Sequence, residues 1–143
     1  MSRSNSEKYT AEFFKGIKKA SEGQIKVKVD GVEQTYPVSR AEVRENDVVM
    51  EFDMRGGDPS FNRFIYVVIK KSLLNQKVNF TAPGQPVYFL FQSFPQEWLA
   101  AIGWIRVEWQ EGSKKIEGLL DDIDGEREED SKLSSGKFSV TLS

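Results

Sequence analysis

From Ile25 onward the chain alternates. Ile25, Val27 and Val29 stand between Lys26 and Lys28, the period of a strand with one face in a core. Asp30-Gly31 follows, a dipeptide favoured in two-residue hairpin turns because both central positions need positive φ. Folding back there sets Val29 against Val32 and Lys28 against Glu33, so one face is apolar and the other carries a cross-strand charge match. Pro37 in the returning strand has no N–H to give a ladder, which places it at a sheet edge or a strand end.

Upstream the period is helical. Tyr9, Phe13, Ile17 and Ala20 fall at i, i+4, i+8 and i+11, predicting an amphipathic helix over Ser6 to Ser21 with Gly23 as its terminator. Gly16 weakens a free-standing helix by about 1 kcal/mol relative to Ala, so the segment is expected to pack on the sheet rather than to lie on a membrane. Ser39 and Glu42 have capping-box spacing and predict a helical turn.

Further strands follow. Val48, Met50, Phe52 and Met54 form one face of a half-buried strand, with Glu51, Asp53 and Arg55 opposite beside Val49. "FIYVVIK" and "PVYFLFQ" are nearly continuous apolar runs, the signature of central strands covered on both faces. "RGGDPS" and "APGQP" supply turns. "SFPQEWLAAIG" predicts a short internal helix, with Pro95 in its first turn and Gly103 ending it. "WIRVEW" is a strand, followed by a loop at Glu111 to Lys114, a short strand at Ile116 to Leu120, and a loop from Asp121 to Ser135. In the last strand Phe138, Val140 and Leu142 alternate with Lys137, Ser139, Thr141 and Ser143.

These elements predict a mainly β fold: an antiparallel β-sandwich or partly closed barrel with an N-terminal amphipathic helix and one short internal helix. The chain is expected to be a single domain over 1–143, with a helical segment (1–23) packed on an antiparallel β domain (24–143). A chain of 143 residues buries roughly 68–70% of its unfolded surface, enough for one core. Its 12% aromatic content, with ten Phe, adds weight to β structure.

Two absences narrow the chemistry. Without Cys there are no disulfides and no thiolate metal sites. Without His, Ser-His and Cys-His catalysis and the usual zinc sites are excluded. No window approaches the ~20 apolar residues of a membrane span, and the first residues lack the apolar run of a signal peptide, so no transmembrane segment and a cytoplasmic location are expected. Asn79-Phe80-Thr81 matches the glycosylation triplet but reads as a chance tripeptide in a strand.

The net charge of −2 is unevenly spread. Residues 1–29 carry seven basic and three acidic groups, whereas 108–130 carry ten acidic and three basic. Nucleic-acid binding calls for a more basic domain, so none is expected.

The acidic run centres on "LLDDIDGEREED". Aligning Gly125 with the invariant glycine of a calcium loop places Asp122 and Asp124 at positions 3 and 5 but Leu120 and Ser131 at positions 1 and 12, so both anchoring acids are missing. A looser calcium site from Asp122, Asp124 and Glu126 is the candidate metal set; a solvated loop is the simpler expectation. The second candidate is the charged face of "WIRVEW", where Trp104 with Arg106 and Glu108 could act as a stacking platform, while Ile105, Val107 and Trp109 face the core. The leading functional expectation is a non-catalytic binding or accessory domain for an unknown protein or small ligand. Next come a small-ligand carrier with an aromatic-lined barrel cavity and then a carboxylate-based hydrolase.

Overall fold

A computed structural model describes residues 11–20, 22–53, 63–93 and 95–143. Among the described residues one short α-helix, α1 (Ala11–Lys15), precedes ten strands: β1 (Glu22–Val29), β2 (Val32–Val43), β3 (Asp47–Asp53), β4 (Arg63–Lys70), β5 (Lys77–Asn79), β6 (Tyr88–Ser93), β7 (Gln96–Leu99), β8 (Ile102–Glu108), β9 (Lys115–Asp124) and β10 (Leu133–Thr141). They form one antiparallel sheet in the order β5-β8-β9-β10-β1-β2-β3-β4-β6-β7, curled into a half-barrel. The predicted hairpin register is the observed one, with Val29 opposite Val32 and Lys28 opposite Glu33.

β2 belongs to both halves of the curl. Its first part, up to Pro37, pairs with β1, and from Val38 it pairs with β3. Pro37 therefore sits where one ladder ends. The register slips between Val38 and Arg40, and such a bulge sharpens the local bend. Inside the curl aromatic rings meet across the halves, Phe52 and Phe138 at 5.9 Å between centroids and Phe80 and Phe89 at 6.1 Å, while Phe91 and Trp98 meet at 5.1 Å between the adjacent strands β6 and β7. Each fully buried large side chain here contributes about 1.5–3 kcal/mol from area alone.

The outer faces of the two halves differ. On the β3-β4-β6 half, Val49, Phe64, Tyr66, Val68, Tyr88 and Leu90 form a second buried cluster with Phe14 and Ile17, and the Phe14 ring stacks on Tyr66 at 3.9 Å. β4 and β6 are thus covered on both sides, as their unbroken apolar runs require. β3 departs from its half-buried expectation: Val48 to Phe52 are all buried, because Val49 joins this cluster and Glu51 is engaged by the Ser39 hydroxyl and lies 3.9 Å from the Arg40 guanidinium. Met54 and Arg55 lie outside the described residues.

Three helical expectations are corrected. Of the segment Ser6 to Ser21, residues 6–10 and Ser21 lie outside the described residues, and within the rest only Ala11–Lys15 is helical. After Gly16 the backbone is claimed by β2, whose edge is vacant once β1 has left it: the Ala41 N–H donates to Lys18 O and the Ala20 N–H to Ser39 O, while the Arg40 guanidinium holds the Ile17 carbonyl at 2.7 Å. Gly23 lies inside β1. The Ser39–Glu42 turn is strand; Ser39 donates to Glu51 O rather than capping, and Glu42 accepts the Lys18 N–H. The internal helix is β7, where Phe91 opposes Trp98 and Leu90 opposes Leu99, so tertiary burial of Trp98 overrides a helix-compatible local sequence.

The acidic segment is also corrected. β9 runs on through Asp124, and β10 begins at Leu133, which shortens the Asp121–Ser135 loop to the connection 125–132. Among the described residues no helix is long and apolar enough to cross a membrane.

Candidate functional site

Alternation along β9 breaks at Asp121-Asp122, where two successive side chains turn outward while Leu120 and Ile123 stay buried. The register against β8 shifts there, from Ile102 opposite Asp124 to Trp104 opposite Asp121. Asp122 takes up the extra residue with φ +55°, and Ser135 on the neighbouring strand does the same at +49°. One carboxylate secures both: Asp121 Oδ1 accepts the N–H of Asp122 and the N–H of Ser135, each at 2.9 Å.

The remaining acids of the run are held in the same manner. Asp124 bonds the Lys132 ammonium at 3.0 Å. The Asp130 side chain is 1% exposed; it accepts the Arg127 N–H and two guanidinium N–H groups at 3.1–3.2 Å. Such charge-assisted bonds to a buried carboxylate meet the cost of its desolvation. Gly125 passes so close to Asp130 and Trp98 that a side chain there has no room. The turn then fastens to β7: Gln96 Oε1 accepts the Ser131 N–H at 3.0 Å and the Trp98 indole N–H at 2.8 Å, and Gln96 Nε2 donates to Ser131 Oγ at 2.9 Å. The acidic stretch is a clasp that ties the β9–β10 connection to the edge strand β7.

The three candidate metal residues are dispersed by this arrangement. Asp122 projects from the bulge, Asp124 is paired with Lys132, and Glu126 is exposed beyond Gly125. Among the described residues no group of three or more acids gathers to hold a metal ion. Glu126 instead borders a cleft of about 300 Å³ between the clasp and β7, together with Glu97, Leu99 and Arg127. A second cleft, of about 730 Å³, lies at the other end of β4 beside Lys70, Lys71 and Tyr88.

Trp104, Arg106 and Glu108 do share one outward face of β8. Trp104 is half-buried, and the Lys77 ammonium lies 4.9 Å from its ring centroid; Arg106 reaches Glu108 at 3.4 Å and the Asn75 carbonyl at 3.3 Å. Ile105 and Val107 point inward as predicted, and Trp109 stays buried just beyond the strand, its indole N–H on Ser113 O. Leu119, opposite Arg106 on β9, is 46% exposed. Reasoning along the chain missed Asp121, Asp130 and the Gln96–Ser131 pair, since a bulge removes the alternation that would reveal a strand, and Gln96 and Ser131 are 35 residues apart. Comparison with family models, with characterised proteins and with solved structures gave no match to this chain.

Proposed function

We propose that this chain is a non-catalytic binding domain that engages a protein partner through the outer face of β5-β8-β9-β10-β1, around Trp104, Arg106 and Glu108. The observation that carries the reading is the contrast between outer faces: one is sealed by Phe14 and Ile17, while the other presents a half-buried Trp and an exposed Leu among charged side chains. Rigid aromatic surface beside adaptable polar groups is the composition of recognition surfaces.

Two rival readings have less support. A carrier needs interior space, whereas the rings that would line it touch one another. A carboxylate hydrolase needs an acid free to move a proton at the reacting bond, whereas Asp121, Asp124 and Asp130 are committed to main-chain and cationic partners.

The experiment uses wild type and Trp104→Ala as paired baits with matched thermal midpoints. Each co-purifying protein is remade and titrated against both. The reading requires a purified partner whose affinity falls about tenfold or more with Trp104→Ala, a change of ~1.4 kcal/mol. A small molecule retained stoichiometrically in native mass spectrometry and released only on unfolding would transfer the assignment to the carrier.

A further inference from the structure

One row of side chains crosses this outer face at right angles to the strands: Lys26 on β1, Lys137 on β10, Leu119 on β9, Arg106 on β8 and Lys77 on β5, each directly opposite the next. Their chain neighbours Ile25, Val27, Phe138, Leu120, Ile105 and Val107 are buried, so the row points outward. With neighbouring strands about 4.8 Å apart, it is roughly 19 Å long.

The cations at its two ends are not equivalent. Arg106 is balanced by Glu108 and Lys77 sits over the Trp104 ring. Lys26 and Lys137 are both exposed, directly opposed, and have no carboxylate of a described residue within ion-pair distance. Like charges directly opposite on antiparallel strands oppose folding, and Leu119 beside them exposes apolar surface. A single bound segment that brings carboxylates to the lysines and an apolar side chain to Leu119 relieves both at once.

The shape of the charge selects the ligand. Glu108 and Glu117 lie one step along the strands on one side of the row, and Asp121 on the other. An anionic membrane or a duplex would press its charges on these carboxylates as well as on the lysines. A narrow chain avoids them. At about 3.3 Å per residue, roughly six extended residues cover the row.

Resting on the binding-domain reading, we propose that the Lys26–Lys137–Leu119 strip docks an extended acidic segment of a partner protein, carboxylates on the lysines and an apolar residue on Leu119. Because the segment crosses the strands, side chains hold it rather than backbone pairing. A fluorescein-labelled hexapeptide, Glu-Ser-Glu-Ser-Leu-Ser, whose two Glu and one Leu share one face of an extended chain, titrated by anisotropy into the full chain at about 0.15 M salt, is the probe. A Lys/Leu peptide, phosphatidylserine vesicles and a single-stranded oligonucleotide are the other arms.

The Glu/Leu peptide should bind, should lose affinity at least tenfold with Lys26→Gln plus Lys137→Gln, and should lose salt sensitivity in that variant. The variant should melt no lower than wild type, since a repulsion has been removed. Leu119→Ser should weaken the peptide while leaving its salt dependence intact. Peptide binding that ignores the double variant, or vesicle or oligonucleotide binding that is stronger than the peptide's and falls with the same lysines, overturns the proposal. If a recovered partner loses affinity with Trp104→Ala while the peptide ignores the lysine variant, only the acidic-peptide assignment fails and the binding surface stands.

Discussion

The two outer faces of the half-barrel differ although both belong to one sheet. Behind β3, β4 and β6 the strands are apolar at consecutive positions, and Phe14 and Ile17 close over them. Behind β8, β9, β10 and β1 polar positions alternate with buried ones except at the Asp121-Asp122 and Ser134-Ser135 bulge, and the strands leave lysines, acids, Leu119 and part of Trp104 in solvent. The number of apolar faces written into each strand determines whether it needs a cover. It follows that a substitution's cost depends on which outer face it touches more than on residue size.

The largest expected effect is on the sealed side. Phe14→Ala should cost about 3–5 kcal/mol in urea unfolding, the range for truncating a buried aromatic; a loss under ~1 kcal/mol would mean that α1 is not needed to cover Tyr66. Between the faces, Tyr36 is fully buried on β2 and its pKa is pushed up to about 12 by burial, with the positive charge of Arg63 pulling the other way. The folded state therefore resists ionisation while the unfolded chain ionises near 10, so this residue's contribution is intact below pH 10 and is lost as pH rises towards 12, amounting to roughly 2–3 kcal/mol. Tyr36→Phe should flatten the alkaline fall in stability over that window, and an unchanged slope would show that the hydroxyl is hydrated.

Effects on the open side should be smaller. Asp121→Ala strips two bulge amides of their acceptor and should cost about 1–3 kcal/mol, read with the loss of exchange protection at Asp122 and Ser135. Trp104→Ala, on a half-buried ring, should cost less than ~2 kcal/mol; a loss of 3 kcal/mol or more would make it a core residue and erase the contrast. Smallest of all is calcium: millimolar calcium and sodium chloride at matched ionic strength should shift the melting temperature alike, in wild type and in Asp122→Asn plus Asp124→Asn. A calcium-specific rise lost in the double variant would instead indicate a site, through the RT ln(1 + [L]/Kd) stabilisation of the folded state.

Much of the fold is legible where local signals agree. Asp30-Gly31 with alternating valines specifies its hairpin down to the residue pairs, and the runs at 64–70 and 86–92 announce doubly covered strands. Legibility ends where a tertiary partner decides. Trp98 sits in a stretch with good helix formers and becomes strand because Phe91 lies opposite. Asp121-Asp122 reads as loop because a bulge hides the period of β9. Alternation puts Lys26 and Lys137 each on a solvent face, but no local signal pairs two strands so far apart, so the charged row emerges only from the assembled sheet. Trp104, Arg106 and Glu108 share one face because β8 keeps its alternation from Trp104 onward.

The pairing of β1 with β10 also sets an order of events. Every other main ladder joins strands that are near in sequence, whereas Glu22 meets Thr141 across more than a hundred residues. Contacts of such separation form late and slow the search. During synthesis, β1 can zip to β2 as soon as both have left the ribosome, yet its second edge has no mate until the last strand is made. For that interval the nascent chain exposes an unpaired strand edge open to a neighbouring chain. Slowing translation ahead of β10 should therefore increase co-translational aggregation, and supplying a β10 peptide in trans should suppress it.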